Sequence, residues 1–398
     1  MLSHPKVAVV VASCIAIVCG ASRARGAPMD PAPERLYLQP MGLPAGTDCQ
    51  AIARDPQAFL GATGMSPNGF ACVPNDVSWA NLMSELGYAI APSAFHPART
   101  TGFGGFALSL EASFAHINAN ATDSTNTQYW HQGTEGGVDP ATNKFASENR
   151  NPDSVLQIYT LKARKGLGFG LEIAGALGFV ANTSLWVGGG DLHWAVLEGY
   201  RTGILGFFPD LAIGGGVRTL GGSPKFYLTT VGIDAQISKP FALADSAVLT
   251  PYLGAQRLYI FADSAVVDLT PNVDALAQCG YEGPNVNSNP LANPMNDPKH
   301  PYDPKHVYDG LPVCSQKLTA PNGKTIDNNA DFNNEATFAK LRVQRWRAIA
   351  GVTYRYELLY LAGQFAADVE APGDENNSSA GVSGARQWTV SLEAGVFF

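Results

Sequence analysis

The sequence predicts an all-β fold: an antiparallel transmembrane β-barrel of about ten strands, with twelve to fourteen as the alternative, preceded by a short segment containing one helix. Three observations predict it. Stretches of about ten residues alternate large apolar side chains with small or polar ones, the strand period of two. Beyond the first residues, no apolar run reaches the roughly 20 residues of a spanning helix. Long and short connections alternate between the stretches. Backbone inside lipid must satisfy its own hydrogen bonds, so a chain that crosses without helices has to close its sheet.

Residues 1–26 read as a cleavable signal peptide. Lys6 supplies a positive start, Val7 to Ala21 is apolar, and small residues offer cleavage after Ala21, Ala24 or Gly26. Val11-Ala12-Ser13-Cys14 has the order of a lipobox, but the apolar run ahead of it is very short. Removal of this segment leaves Cys49, Cys72, Cys279 and Cys314. An even number of cysteines in an exported chain suggests disulfides. Cys49–Cys72 and Cys279–Cys314 are favoured, because each pair lies within one stretch that does not read as strand.

Residues 27–101 form an N-terminal segment, periplasmic or lumenal, rich in Pro and Gly. Its one helical pattern runs over 76–87. Asp76 or Ser78 can cap it, Trp79, Leu82, Met83 and Leu86 make an apolar stripe, and Gly87 is the stop. The stripe fits a helix packed against the barrel base or a plug inside the lumen.

The barrel occupies 102–398, with strands near 102–118, 154–165, 168–181, 190–201, 211–220, 224–238, 247–262, 336–357, 358–370 and 385–398. The first shows the logic: Phe106, Leu108, Leu110, Ala112 and Phe114 alternate with Ala107, Ser109, Glu111 and Ser113. Leu171, Ile173, Leu177 and Phe179 stand opposite Glu172, Ala174 and Ala176. Tyr227, Val231, Ile233 and Ile237 stand opposite Asp234 and Gln236. Large residues then meet lipid and polar ones the lumen. Pro251 suggests a bulge or an edge position in its strand. The longest connections, 119–153 and 263–335, fall on one side as extracellular loops, and an even count places both chain ends in the periplasm.

Facing fixes the lumen candidates: Glu111, Glu172, Asp234, Arg345, Arg347, Arg355 and Glu393. In the strand near 336–357 the opposite choice sets three arginines against hydrocarbon, at about 2–4 kcal/mol each near the midplane. A lumen of mixed charge fits ion pairs that fill and stiffen a narrow barrel; the functional alternative is a polar path or a binding site for a charged solute. Tyr159, Trp186, Trp194, Tyr200, Tyr227, Tyr259, Trp346, Tyr354, Tyr356 and Trp388 fit interfacial aromatic girdles.

The final strand carries a resemblance. Trp388, Val390, Leu392, Ala394, Val396 and Phe398 alternate without interruption to the last residue. This resembles the C-terminal insertion signal of Gram-negative outer-membrane β-barrel proteins, with Trp388, Val390, Leu392, Val396 and Phe398 as the matching positions. The resemblance implies an outer-membrane location and, as partners, outer-membrane lipid, lipopolysaccharide and the barrel-assembly machinery. An N-terminal segment ahead of the barrel is also faintly similar to the hatch of long-chain fatty-acid transporters.

Composition excludes other classes. Lys and Arg number 26 against 34 Asp and Glu, a formal charge of -8, which argues against nucleic acid. There is no GxSxG elbow and no HExxH. Tyr129-Trp130-His131-Gln132 looks like the active-site segment of outer-membrane phospholipases, yet Gly133 stands where the nucleophilic serine belongs. No enzyme activity and no cofactor is expected. The near-repeat 297–308 holds His300 and His306, but a solvated, Pro-stiffened loop explains it better than a metal site. The function expected is passive passage of a small solute, hydrophobic if 28–101 forms a hatch; the alternative is a structural or surface-interaction barrel whose loops bind a partner.

Overall fold

A computed structural model describes residues 27–38, 73–93, 96–136, 138–139, 144–145, 149–199, 208–244, 247–269, 335–371 and 384–398, with four short strands between 280 and 327. The signal peptide, the four cysteines Cys49, Cys72, Cys279 and Cys314, and the 297–308 repeat lie outside the described residues.

The chain forms a closed antiparallel barrel. Helix α1 spans Asp76–Ala89. The barrel strands are β1 (Phe106–His116), β2 (Val155–Gly166), β3 (Leu171–Val180), β4 (Trp186–Leu197) and β5 (Asp210–Gly221). They continue as β6 (Phe226–Ser238), β7 (Ala247–Ser264), β8 (Leu341–Tyr356), β9 (Leu359–Asp368) and β10 (Trp388–Phe397). Each pairs with its neighbour in sequence, and β10 pairs with β1, Glu393 opposite Glu111. Phe398 tightens that closure through backbone bonds with Phe106 in both directions, at 2.8 and 3.2 Å. The ten-strand prediction therefore holds, and β4 alone is displaced, by four residues at each end. Its Gly188-Gly189-Gly190 run has no side chains to show a period, so the start at Trp186 was hidden. Pro251 sits in register against Val352, one residue beyond the Ser238–Tyr252 pair that ends the β6 ladder. A missing N–H costs nothing where the ladder has already ended.

Facing follows the alternation. On β1, Ala107, Ser109, Glu111, Ser113 and Ala115 are buried in the barrel interior. Along the inward face, however, chemistry changes with height. Ile158 gives way to Lys162 on β2, Leu228 to Asp234 on β6, Leu258 to Gln256 on β7, and Val343 to Arg345 on β8. The upper half of the lumen, toward the long loops, is apolar, and the lower half, toward the short turns, is polar.

Candidate functional site

Residues 76–93 and 96–101 lie inside the barrel, and each half of the lumen receives a different part of them. Asn75 caps α1, accepting from Ser78 N at 3.1 Å, in place of the Asp76 or Ser78 expected from sequence. Asp76 instead accepts from Ala339 N. Trp79 is fully buried, stacked on Phe338 at 5.0 Å and edge-on to Phe226 at 5.9 Å. Leu82, Met83 and Leu86 complete the expected stripe, yet the helix is buried on every side from Ser78 to Ala89. Gly87 does not stop it. A Cβ there would lie 2.4 Å from Ile260 Cγ2, so glycine is what lets the helix lie against the β7 wall.

A fully surrounded helix must satisfy its polar side chains. Glu85 accepts from Tyr129 Oη and Trp130 Nε1 at 2.7 Å each, and from Asn118 N and Nδ2 at 3.0 and 2.8 Å. These four donors belong to the first long loop, so one carboxylate pins that loop over the plug. Asp123 adds a second tie, accepting from Ser78 Oγ and from Asn75 Nδ2. Burial acts to raise the Asp123 carboxyl, but hydrogen bonds from Ser78, Thr125 and Thr127 outweigh it and hold its pKa below the usual carboxylate value. Residues 27–38 also sit at this end: Arg35 donates to the carbonyls of Thr134 and Glu135, and Met29 N donates to Asn182 O. The described residues 27–38 thus lie at the long-loop end, where the apolar half of the lumen is.

Below α1 the chain is not helical, and its backbone polar groups are met by wall side chains. Pro92 O accepts from Arg347 Nη2 at 2.8 Å and from Gln256 Nε2 at 3.4 Å. Ser93 Oγ donates to Glu111 at 2.5 Å. Ala98 N donates to Ser238 Oγ at 2.9 Å, and its carbonyl lies 3.4 Å from His193 Nε2. Arg99 pairs with Asp210 at 2.6 Å, and Thr101 N donates to Glu172 at 2.7 Å.

The predicted lumen residues fall mainly in this lower half. Glu111 and Glu393 face each other across the β1–β10 ladder, a like-charge pair that costs energy if left alone. Lys162 resolves it by bridging to both. Glu172 pairs with Arg164 at 3.4 Å. Arg345 binds Asp368 and donates to Gln387 Oε1 at 2.6 Å, and Tyr88 of the plug lies between it and Arg347, with guanidiniums 4.5 and 5.2 Å from the ring. Arg355 is a correction. It shares the inward phase of β8 but is exposed at the lower mouth, over the Phe397 ring at 4.7 Å, because the strand has reached the rim there. Asp234 lines a small cleft with His96, Glu172, Asp191 and His193, and neither of its oxygens has a hydrogen-bond partner among the described residues. No cluster of three or more His, Cys, Asp or Glu side chains among them could hold a metal ion.

Sequence reasoning missed Lys162, Arg164, Arg218, Gln256 and Asp368. The signal existed for the first two: Leu161 and Ala163 alternate with them, and the cost of setting cations against hydrocarbon would have turned them inward, as it did on β8. Gly133, where the phospholipase-like segment lacks its serine, packs against Leu36 and Leu82, so this stretch is part of the cap over the plug.

Outside, the barrel is apolar around its girth: Leu110 is 57% exposed, Ile233 58% and Leu361 60%. Aromatic rings flank this belt, with Tyr159, Phe179, Trp186 and Trp388 toward the loops and Phe106, Trp194, Tyr354, Tyr356 and Phe398 toward the turns. Tyr200 lies outside the described residues. An apolar exterior and two girdles on an even, closed sheet are what a bilayer requires. The architecture is that of a membrane-spanning β-barrel.

No protein-family model and no curated protein matches the chain. Among solved structures, the attachment invasion locus protein Ail of Yersinia pestis shares 8% identity, with 74% of this chain and 99% of that one covered and a TM-score of 0.23. The COG4313 outer membrane channel from Pseudomonas putida F1 gives 9%, 76%, 100% and 0.27, and the outer membrane protease OmpT from Escherichia coli 8%, 76%, 99% and 0.27. At such overlap these neighbours carry no argument about what the barrel does.

Proposed function

We propose that the barrel is sealed at rest and works through the surface it displays at its long-loop end, as a structural or surface-interaction protein without enzymatic activity. One observation carries this reading: residues 76–93 and 96–101 meet the wall at four heights. Trp79 packs on Phe226 near the top, Gly87 on Ile260 below it, Pro92 under Arg347, and Arg99 on Asp210 at the bottom. On this reading a solute crossing the barrel has to displace this chain. The same segment fastens the first loop through Glu85, so the plug supports the displayed surface.

Planar-bilayer recording of the refolded full chain tests this directly. The expected trace is silent, and a chain lacking residues 76–101 conducts. A steady open conductance from the full chain overturns the reading.

A second reading, passage of a small solute gated by the thread, is favoured by one feature. The lower stretch, 92–101, is held by polar contacts that water can replace, unlike the apolar seat of α1. It requires discrete opening events in the full chain whose frequency rises in Ser93→Ala. If that variant is as silent as the parent, gating at this level is ruled out.

A further inference from the structure

The most anomalous charge on the molecule is on the outside of the wall. Arg257 belongs to the outward phase of β7, between Leu253 and Tyr259 on the same face and beside Ile233 of β6 and Trp346 of β8. Its guanidinium lies on the Trp346 ring at 5.3 Å and on the Tyr259 ring at 5.6 Å. The one acceptor it reaches among the described residues is Gln344 Oε1; its Nε is buried without a partner, so any further ligand meets the terminal guanidinium nitrogens. No carboxylate pairs with it among those residues. The outward cation above it, Arg342, is by contrast occupied by Asp263 through bonds of 2.9 and 3.0 Å.

Height explains how such a charge is tolerated. Tyr354 marks the lower girdle, and the step up β8 from Tyr354 to Trp346 climbs about 20 Å for a strand tilted about 40°. The apolar band of such barrels is about 25 Å tall, which puts Trp346 and Arg257 near its upper border, where lipid headgroups begin. A cation is least costly there, and a planar guanidinium flattened by two rings presents its free N–H edge to an oxyanion. We propose that Arg257, backed by Trp346 and Tyr259 and steadied by Gln344, binds the phosphate of an anionic lipid in the leaflet at the long-loop end. Arg342, one step above, is neutralised by Asp263, which leaves Arg257 as the principal ligand.

Native mass spectrometry of the full chain, refolded in a neutral detergent and titrated with diphosphoryl lipid A, tests the site. Phosphatidylcholine, zwitterionic overall, serves as the comparison lipid. The parent should retain lipid A over phosphatidylcholine, and Arg257→Gln should retain it about tenfold less, as expected for loss of one charge-assisted contact. Arg257→Lys should recover only part, since an ammonium cannot lie flat between the rings. Unchanged heat-modifiable migration on gels shows that the variants still fold. Arg355→Gln, at the opposite rim, should bind like the parent. Equal retention by the parent and Arg257→Gln overturns the proposal. So does complete displacement by excess inorganic phosphate, which would mark a site for soluble anions rather than lipid.

Discussion

The upper and lower halves of the lumen hold the same segment by different physics. Above, α1 is fixed by Trp79, Leu82, Met83 and Leu86 against Phe226, Leu228, Leu258 and Ile260, a non-directional contact that strengthens with area. Below, the described residues Pro92, Ser93, Ala98 and Thr101 are held by directed bonds with Arg347, Gln256, Glu111, Ser238 and Glu172. Individually such bonds contribute little net stability, because water offers the same partners. The difference teaches that the helix is the anchor and the thread is its dependent extension. A lumen whose lower half is crowded with ionised groups would otherwise be wet, and the thread replaces that water with fixed dipoles.

Substitutions in the two halves should therefore differ in cost. Trp79→Ala should have the largest effect, about 3–5 kcal/mol, read as a lower denaturant midpoint for the folded barrel. A cost near zero would show that α1 is not the anchor. Asn75→Ala, which removes the helix cap, should cost about 1 kcal/mol in the same measurement. Ser93→Ala deletes two bonds of the thread, one to Glu111 and one from Lys162, while Lys162 and Glu111 keep each other as partners, and should cost about 0.5–1.5 kcal/mol net. If it matched Trp79→Ala, the two halves would be equally rigid and the contrast would fail. Hydrogen exchange should rank the same way, with slow amides along α1 and faster ones over 96–101.

The smallest effect concerns pH. The folded Asp123 carboxyl titrates below its ordinary value, so its ties to Ser78 and Asn75 stabilise the fold fully above the unfolded pKa, about 3.9. That contribution is lost as pH falls through the lowered folded value. Asp123→Asn should flatten the acid limb of the stability curve and lower stability near neutrality by the contribution lost, while parent and variant converge in acid. Identical acid limbs for parent and variant would detach Asp123 from the plug's stability.

Much of the wall was legible because its signal is local. Period two reports facing within one strand, and the penalty on cations in hydrocarbon chose the phase of β8 without reference to any other element. β4 was misplaced for the complementary reason, since three glycines carry no facing information. The content of the lumen was written less openly. Phe226 and Leu228 share an inward face with Asp234 and Gln236, a change along a single strand that becomes meaningful only when Leu258, Ile260 and Val343 are stacked at the same height.

By itself, the sequence determined a closed antiparallel barrel, because strand period and a bilayer's intolerance of open backbone act residue by residue. Only the tertiary structure decided what fills it. Glu85 is a buried carboxylate whose donors lie 33 to 45 residues away, Gly87 is a contact surface for Ile260, and Lys162 is the bridge between Glu111 and Glu393. Each of these roles depends on a partner from another element, and the reach of a hydrogen bond or a methyl contact is a few ångströms in space, with no counterpart along the chain.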